Sequence, residues 1–321
     1  MSFTSRNLLI VGAGMSGLMT ATTLSPGRSI TIVDKGRSVG GRLATRRIAG
    51  GRADHGAQFF TVRDQAFAHH ADRWLNDGLV FQWSTGWGAG SSDASPSDGH
   101  PRYAARHGMN ALAKHLAARL AEDKSVDMLT GVTVSSIAQT GEGWEAVDHD
   151  GQSYLAAQLV LTAPVAQSLA LLDAGNTRLT PEDRAALERI EYASCLCAIA
   201  VIDGESALPD PGAMQQPDAP ISWIADNRRK GISPDATVIT AHANPALSQR
   251  LYDAPDDAII PIFEEVLHAN TTPGTQIEQI QIKRWRYALP LVLHPDRYLQ
   301  ATGLPPLFFG GDAFGGPRIE G

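Results

Sequence analysis

The residues with the clearest chemical consequence are Gly12, Gly14 and Gly17, which follow the apolar run Leu8-Leu9-Ile10-Val11 directly. In Gly12-Ala13-Gly14-Met15-Ser16-Gly17 a strand enters a tight turn and then a helix. Gly12 makes the turn, Gly14 lets backbone N–H groups approach a pyrophosphate, and Gly17 lets the helix pack on the strand. The helix start adds the positive end of its dipole. A second strand, Ser29-Ile30-Thr31-Ile32-Val33, leads into Asp34, whose carboxylate can bind ribose hydroxyls. Strand, glycine turn, helix and acid together predict a bound dinucleotide.

Three further motifs bear on which dinucleotide. Val39-Gly40-Gly41-Arg42 follows the acid, then Asp54-His55-Gly56-Ala57-Gln58-Phe59-Phe60, and the far end carries Gly310-Gly311-Asp312. A nicotinamide domain has no use for a second glycine pair with arginine, nor for a chain that returns to the site at its end. A long cofactor gripped at both ends needs both. The glycines admit pyrophosphate and ring, Arg42 can neutralise phosphate, and Asp312 can accept from ribityl hydroxyls.

These motifs, with Arg318-Ile319-Glu320-Gly321, resemble those of FAD-dependent amine-oxidase-type flavoproteins. Within that group the chain is similar to renalases, especially bacterial ones. The similarity lies in Asp34-Lys35, Gly56-Ala57-Gln58-Phe59-Phe60-Thr61, Gly108-Met109, Trp223-Ile224-Ala225-Asp226-Asn227-Arg228, His242 and Trp285-Arg286-Tyr287-Ala288. It spans essentially the whole chain. It implies non-covalent FAD at Gly12 to Gly17, Asp34, Lys35, Gly41, Arg42, Gly56 to Phe59, Val132, Thr162, Ala163, Gly311, Asp312 and Ile319. It also implies oxidation of 2-dihydro and 6-dihydro isomers of NAD(P)H to NAD(P)+, with O2 reoxidising the flavin to give H2O2.

On the substrate side the resemblance points to Trp223, Asn227, His242, Trp285, Tyr287 and Arg318. Plainer readings stand beside these: ordinary core for Trp223 and Trp285, a satisfied core His242, and a solvated turn for Arg228-Arg229-Lys230. Amine oxidases place a cage aromatic where this chain has Arg318. A fixed cation there repels an ammonium and attracts a phosphate or carboxylate. Those oxidases also use a lysine near flavin N5, and neither Lys230 nor Lys283 stands in an evidently equivalent context. The family pattern continues past Gly321 into a helix, which this sequence does not reach. The alternatives are an FAD-dependent amine or small-metabolite oxidase and a non-catalytic flavin-binding redox sensor.

The elements must bring the two ends together. The expected fold is α/β, a Rossmann-type FAD-binding domain of the glutathione-reductase/amine-oxidase kind, interleaved with a mixed-sheet α+β substrate domain. Residues 1–78, 104–164 and 300–321 are expected in the first, 79–103 and 165–299 in the second. A helix is expected over Met109 to Glu122, with Met109, Leu112, Leu116 and Leu120 on one face. Strands are expected at Val126–Leu129, Val132–Ile137, Trp144–Val147 and Leu159–Thr162. The second domain's strands fall at Ser194–Ile202, Ile221–Ala225, Thr237–His242 and Ile277–Tyr287. Thr180-Pro181-Glu182-Asp183 reads as a helix start, and another helix covers Asp256 to His268, with Pro261 in its first turn or kinking it. The Gly/Ser/Pro-rich stretch from Ser84 to Pro96 reads as a mobile loop.

Composition agrees with a globular enzyme of 321 residues, 43% hydrophobic and 19% charged. A net charge of −7 argues against non-specific nucleic-acid binding. Cys195 and Cys197 sit two apart on a strand, too constrained to bridge each other, and read as core residues in a reducing compartment. No metal-ligand cluster is apparent, and no apolar run is long enough for a membrane span or a signal segment. A cytoplasmic protein acting on a small dinucleotide and O2 is expected.

Overall fold

A computed structural model describes residues 6–87, 99–141 and 143–320 of the chain. Most of the stretch expected as a mobile loop lies outside them. The first half runs β1 (Arg6–Val11), α1 (Met15–Leu24), β2 (Ile30–Asp34), a one-turn 3-10 helix at Gly41–Leu43, β3 (Thr45–Ile48), β4 (Gly51–Asp54), α2 (Gln65–Asn76), β5 (Val80–Ser84), β6 (Arg102–Ala105) and α3 (Asn110–Ala121). Next come β7 (Val126–Thr130), β8 (Val134–Thr140), β9 (Gly143–Asp148), β10 (Ser153–Leu161), α4 (Val165–Ala174) and α5 (Pro181–Glu188). The second half continues with β11 (Tyr192–Asp203), β12 (Ala213–Gln215), β13 (Ile221–Asp226), β14 (Thr237–Ala243), α6 (Pro245–Leu251), α7 (Asp256–Ala269), β15 (Gln276–Pro290), β16 (Leu299–Gln300) and β17 (Leu307–Phe309).

The first sheet has the order β16-β17-β10-β1-β2-β7, with β9 joining β10 and β8 joining β9. β17, β10, β1, β2 and β7 run parallel. Leu8 to Val11 is buried on both faces, which is why that strand is continuously apolar. On one side Leu8, Ile10, Leu18, Ile30, Ile32 and α3 form a core, and on the other Leu9, Val11, Val33, Leu159 and Leu161 form a second. A parallel sheet puts its strand C-termini along one edge, and there Val11, Asp34 and Leu161 hand the chain to the loops that matter.

The second sheet has the order β12-β13-β14-β11-β15. One face is covered by α6 and α7, with Ala198, Ala200, Ile224, Ala241, Leu247 and Phe263 in its core. The opposite face meets the β3–β4 hairpin: Ile48 and Ala53 pack on Cys197, Ile199, Val201 and Val238. Alternation along the strands therefore decides which side chains look toward the dinucleotide half.

Three expectations need correction. Residues 165–190, assigned to the substrate domain, place Val165, Leu169, Leu172, Leu187 and Ile190 in the core under β1 and β10, because α4 lies against β8. The β5–β6 hairpin, expected in the second domain as far as Tyr103, packs Val80 on the first core and Trp83 toward Trp87 and Trp223. Val132 precedes β8 and bonds its N–H to the Asp34 carbonyl at 2.9 Å. Thr180 caps α5 through the Asp183 N–H, as its sequence suggests. Pro261 lies inside α7 beyond the first turn. Cys195 and Cys197 are free thiols. No helix among the described residues is long and apolar enough to cross a membrane.

Candidate cofactor and substrate site

α1 starts at Gly14 with no capping side chain and no acid in its first turn, so its leading N–H groups point outward with no side chain to satisfy them. A Cβ on Gly14 would meet nothing within 4 Å, whereas one on Gly12 would lie 2.4 Å from Thr162 Oγ1 and one on Gly17 1.9 Å from the Gly12 carbonyl. The outer two glycines are thus needed for packing, and the middle one faces open space. Gly41 (φ +51°), Gly310 and Gly311 (φ +130°) border the same opening, with Cβ positions 3.6 to 3.9 Å from Gly14 Cα, Ser16 Oγ and the Thr162 carbonyl. Met15 packs on the first core. A cradle lined by backbone at a bare helix start fits a pyrophosphate.

Asp34 is held by two amides: its carboxylate accepts from Ala13 N–H at 2.6 Å and Gly36 N–H at 2.7 Å. That fixes the acid at the edge of the cradle, where the ribose of a dinucleotide sits in this fold. Lys35 is exposed and only touches Gln167. Thr162 Oγ1 donates to the Val11 and Gly12 carbonyls, and the Ala163 carbonyl accepts from Ser168, so both brace the glycine turn from β10.

The expectation that Arg42 neutralises phosphate while Asp312 faces ribityl hydroxyls is corrected. The two side chains pair with each other, Nη1 to Oδ2 at 2.5 Å and Nη2 to Oδ1 at 2.6 Å, and Arg42 also donates to the Tyr287 carbonyl at 3.2 Å. This bidentate clasp ties the loop after β2 to β15 and to the end of β17. Gly56 fits under it only without a side chain, since a Cβ would lie 2.0 Å from the Arg42 carbonyl. The Ala57 N–H bonds that same carbonyl at 2.8 Å. Gln58 donates to the Asp54 and Gly56 carbonyls, leaving its buried Oε1 without a partner. Ile319 packs on the first core.

Asp54, which sequence reasoning passed over, is the hub of the interface. Fully buried, its Oδ1 accepts from Thr45 Oγ1 and Met109 N–H, and its Oδ2 from Lys230 Nζ at 2.7 Å. Its backbone N–H donates to Asn227 Oδ1, and its carbonyl accepts from Thr240 Oγ1. Lys230 also donates to the Gln58 carbonyl at 2.5 Å and lies 4.8 Å from the Trp83 ring centre. The solvated turn expected for Arg228-Arg229-Lys230 holds for the two arginines, whereas Lys230 points inward and is 1% exposed. The only sequence signal was an acid immediately before the Gly56 motif, and nothing in the spacing pointed to Lys230.

Trp223, His242 and Trp285 stand on the face of the second sheet that looks toward residues 54–60. Trp223 pairs with His242 across β13 and β14, and His242 with Cys197 across β14 and β11. Trp285 stacks on His55 at 5.3 Å and donates to its carbonyl at 2.8 Å. Phe59 lies 4.9 Å from Trp87 and 5.7 Å from Trp223. Burial is the main reason the pKa values of His55 and His242 fall to about 4, so both rings are neutral at physiological pH. His55 Nδ1, His242 Nε2 and Trp223 Nε1 are buried without partners. Tyr287, expected beside Trp285, instead packs edge-on against Tyr192. Asn227 is fully buried and its side chain is taken up by Asp54, Val238 and Thr240, so it braces the hub. Arg318 is exposed, in a shallow depression with Asp64, Arg297 and Glu320, away from the aromatic face.

Fold and cradle define a two-sheet flavoprotein of the Rossmann type. Residues 10–74 match the NAD(P)-binding Rossmann-like domain and residues 84–321 the flavin containing amine oxidoreductases, and the chain belongs to the latter family. FAD is accordingly its non-covalent cofactor, and the chain is an FAD-dependent oxidoreductase. An L-amino-acid oxidase from Neurospora crassa is 43% identical over 56 residues, a stretch covering 17% of this chain and 8% of that protein. Among solved structures, a redesigned putrescine oxidase superposes with a TM-score of 0.71 at 14% identity, covering 100% of this chain and 96% of that one. Reduced UDP-galactopyranose mutase gives 0.67 at 13% identity, covering 90% and 83%. These likenesses show the fold.

Proposed function

We propose that the chain is a renalase-like oxidase of 2-dihydro and 6-dihydro isomers of NAD(P)H, returning them to NAD(P)+. The observation that carries this reading is the charge state of the face beside Gly56 to Phe59. Its two histidines are neutral at pH 7, and its fully buried ammonium, Lys230, is tied to Asp54. Among the described residues an ammonium substrate would find no free carboxylate there, and burying it unpaired is costly. A neutral dihydronicotinamide ring meets no such penalty and finds indole and phenyl surfaces to lie against.

Bound at the Gly12–Gly17 cradle, FAD would supply the hydride acceptor and the means of passing electrons to O2. The residues of this chain orient the donor. Trp223 and Trp285 bound the pocket, while the free nitrogens of His242 and His55 offer hydrogen bonds to an uncharged amide. No side chain has to remove a proton, which agrees with two histidines too weakly basic to do so. Two free cysteines fit a reducing, cytoplasmic location.

Anaerobic flavin reduction by a panel of reductants tests the reading. Bleaching by dihydronicotinamide isomers and not by primary amines or amino acids is expected. Bleaching by amines alone would establish the amine-oxidase alternative, and no bleaching by any reductant the sensor.

A further inference from the structure

A second polar cluster lies where the β3–β4 hairpin meets the open edge of the second sheet. Arg46 stands opposite Ala53 and two residues before Ile48, so its side chain leaves the hairpin on the face that packs against Cys197 and Val238. Lys283 stands opposite Cys197 on β15, and Gln281 and Trp285, two residues to either side, share its face. β15 is the edge strand of its sheet, so the seam opens to solvent there. His55, stacked on Trp285, forms the floor.

Two cations converge on this seam in a protein of net charge −7. Among the described residues neither the Arg46 nor the Lys283 side chain makes an ion pair or a hydrogen bond. Two polar atoms wait at the same place, Gln281 Oε1 and His55 Nδ1, each buried without a partner. Arg46 is exposed and Lys283 half-buried, so both charges stand at the solvent edge of the seam, open to an anion.

We propose that the seam is a phosphoryl-binding subsite, in which Arg46 and Lys283 hold a phosphate of a nucleotide substrate and the Gln281 carboxamide orients it. A dianionic group takes both cations, Arg46 as a planar fork and Lys283 as a point charge, and the carboxamide can turn its NH2 toward an oxygen. Both charges are felt by His55, which after burial owes its low pKa to Lys283 and then Arg46. The seam adjoins the segment leading to Gly56, so a phosphate held there lies beside the ring pocket. The subsite rests on the proposed function only for the identity of its ligand.

Calorimetric titration of the FAD-loaded protein with inorganic pyrophosphate and with NAD+ tests it. Both should bind saturably, at least tenfold more weakly to Lys283→Gln and to Arg46→Gln, and as before to Arg119→Gln, which removes an exposed charge from α3. Unchanged binding of pyrophosphate in both seam variants overturns the subsite. Weakened pyrophosphate with unchanged NAD+ overturns its use by a nucleotide and leaves free phosphate as the ligand. Failure of dihydronicotinamides to reduce the flavin of the wild type, with the seam variants still weakening pyrophosphate, sinks the proposed function and keeps the subsite.

Discussion

Replacing Lys230 with methionine should uncover a buried carboxylate. Asp54 keeps the Thr45 hydroxyl and the Met109 N–H on Oδ1, but Oδ2 loses its single donor in a place with no access to water. Stripping one partner from a fully buried pair costs about 3–5 kcal/mol. Asp54 can limit that cost by taking up a proton, at about 1.4 kcal/mol for each pH unit by which the solution lies above the unfolded carboxyl's pKa. Its folded pKa then lies above the unfolded value of about 3.9. The deficit against wild type is therefore smallest in acid and grows as pH rises through the raised pKa. Urea unfolding of Lys230→Met and wild type at pH 5.5 and 7.5 measures both numbers. The double variant Asp54→Asn with Lys230→Met should recover at least half of the deficit, because no charge is left to bury. A single variant as stable as wild type, or a double variant no better than the single, would refute the hub.

Asp34→Ala should weaken FAD by about 1.5–3 kcal/mol, through the ribose bond and through release of the Ala13 and Gly36 amides, which equilibrium dialysis reads directly. In Gly56→Ala the new methyl meets the Arg42 carbonyl, so a stability loss of about 1–3 kcal/mol together with poor flavin retention is expected on gel filtration. His55 and His242 have folded pKa values depressed from 6.5 to about 4. Their contribution is complete above pH 6.5 and is lost as pH falls toward 4, by up to about 3 kcal/mol each. Flat urea midpoints between pH 7.5 and 5 would contradict their burial as neutral rings.

The parts of the site legible in the sequence were those whose chemistry is local. Gly12, Gly14 and Gly17 announce their turn because backbone approach excludes a Cβ, and that constraint acts within one loop. The strand alternation that aims Trp223, His242 and Trp285 at one face could likewise be read from spacing, once the sheet was known. The Arg42–Asp312 clasp was harder: both residues were singled out, yet each alone suits a ligand, and their pairing depends on how β17 lies beside β10. Lys230 was illegible, since a lysine after two arginines in a turn has the pattern of solvated surface. The α4–α5 helices were misplaced because an apolar helix face does not say which of two sheets it will cover.

Arg42 and Asp312 stand 270 positions apart, yet together they close the cradle around Gly14. During synthesis the glycine turn and the loop bearing Arg42 emerge well before the strand that delivers Gly311 and Asp312. Contacts this distant in sequence form slowly, since a long loop must close before they return any stability. A ribosome-bound chain that has not yet made that strand therefore carries an open half-cleft, and FAD is taken up once the returning strand has docked. Its rate of incorporation should follow the docking of that returning strand rather than the concentration of free flavin.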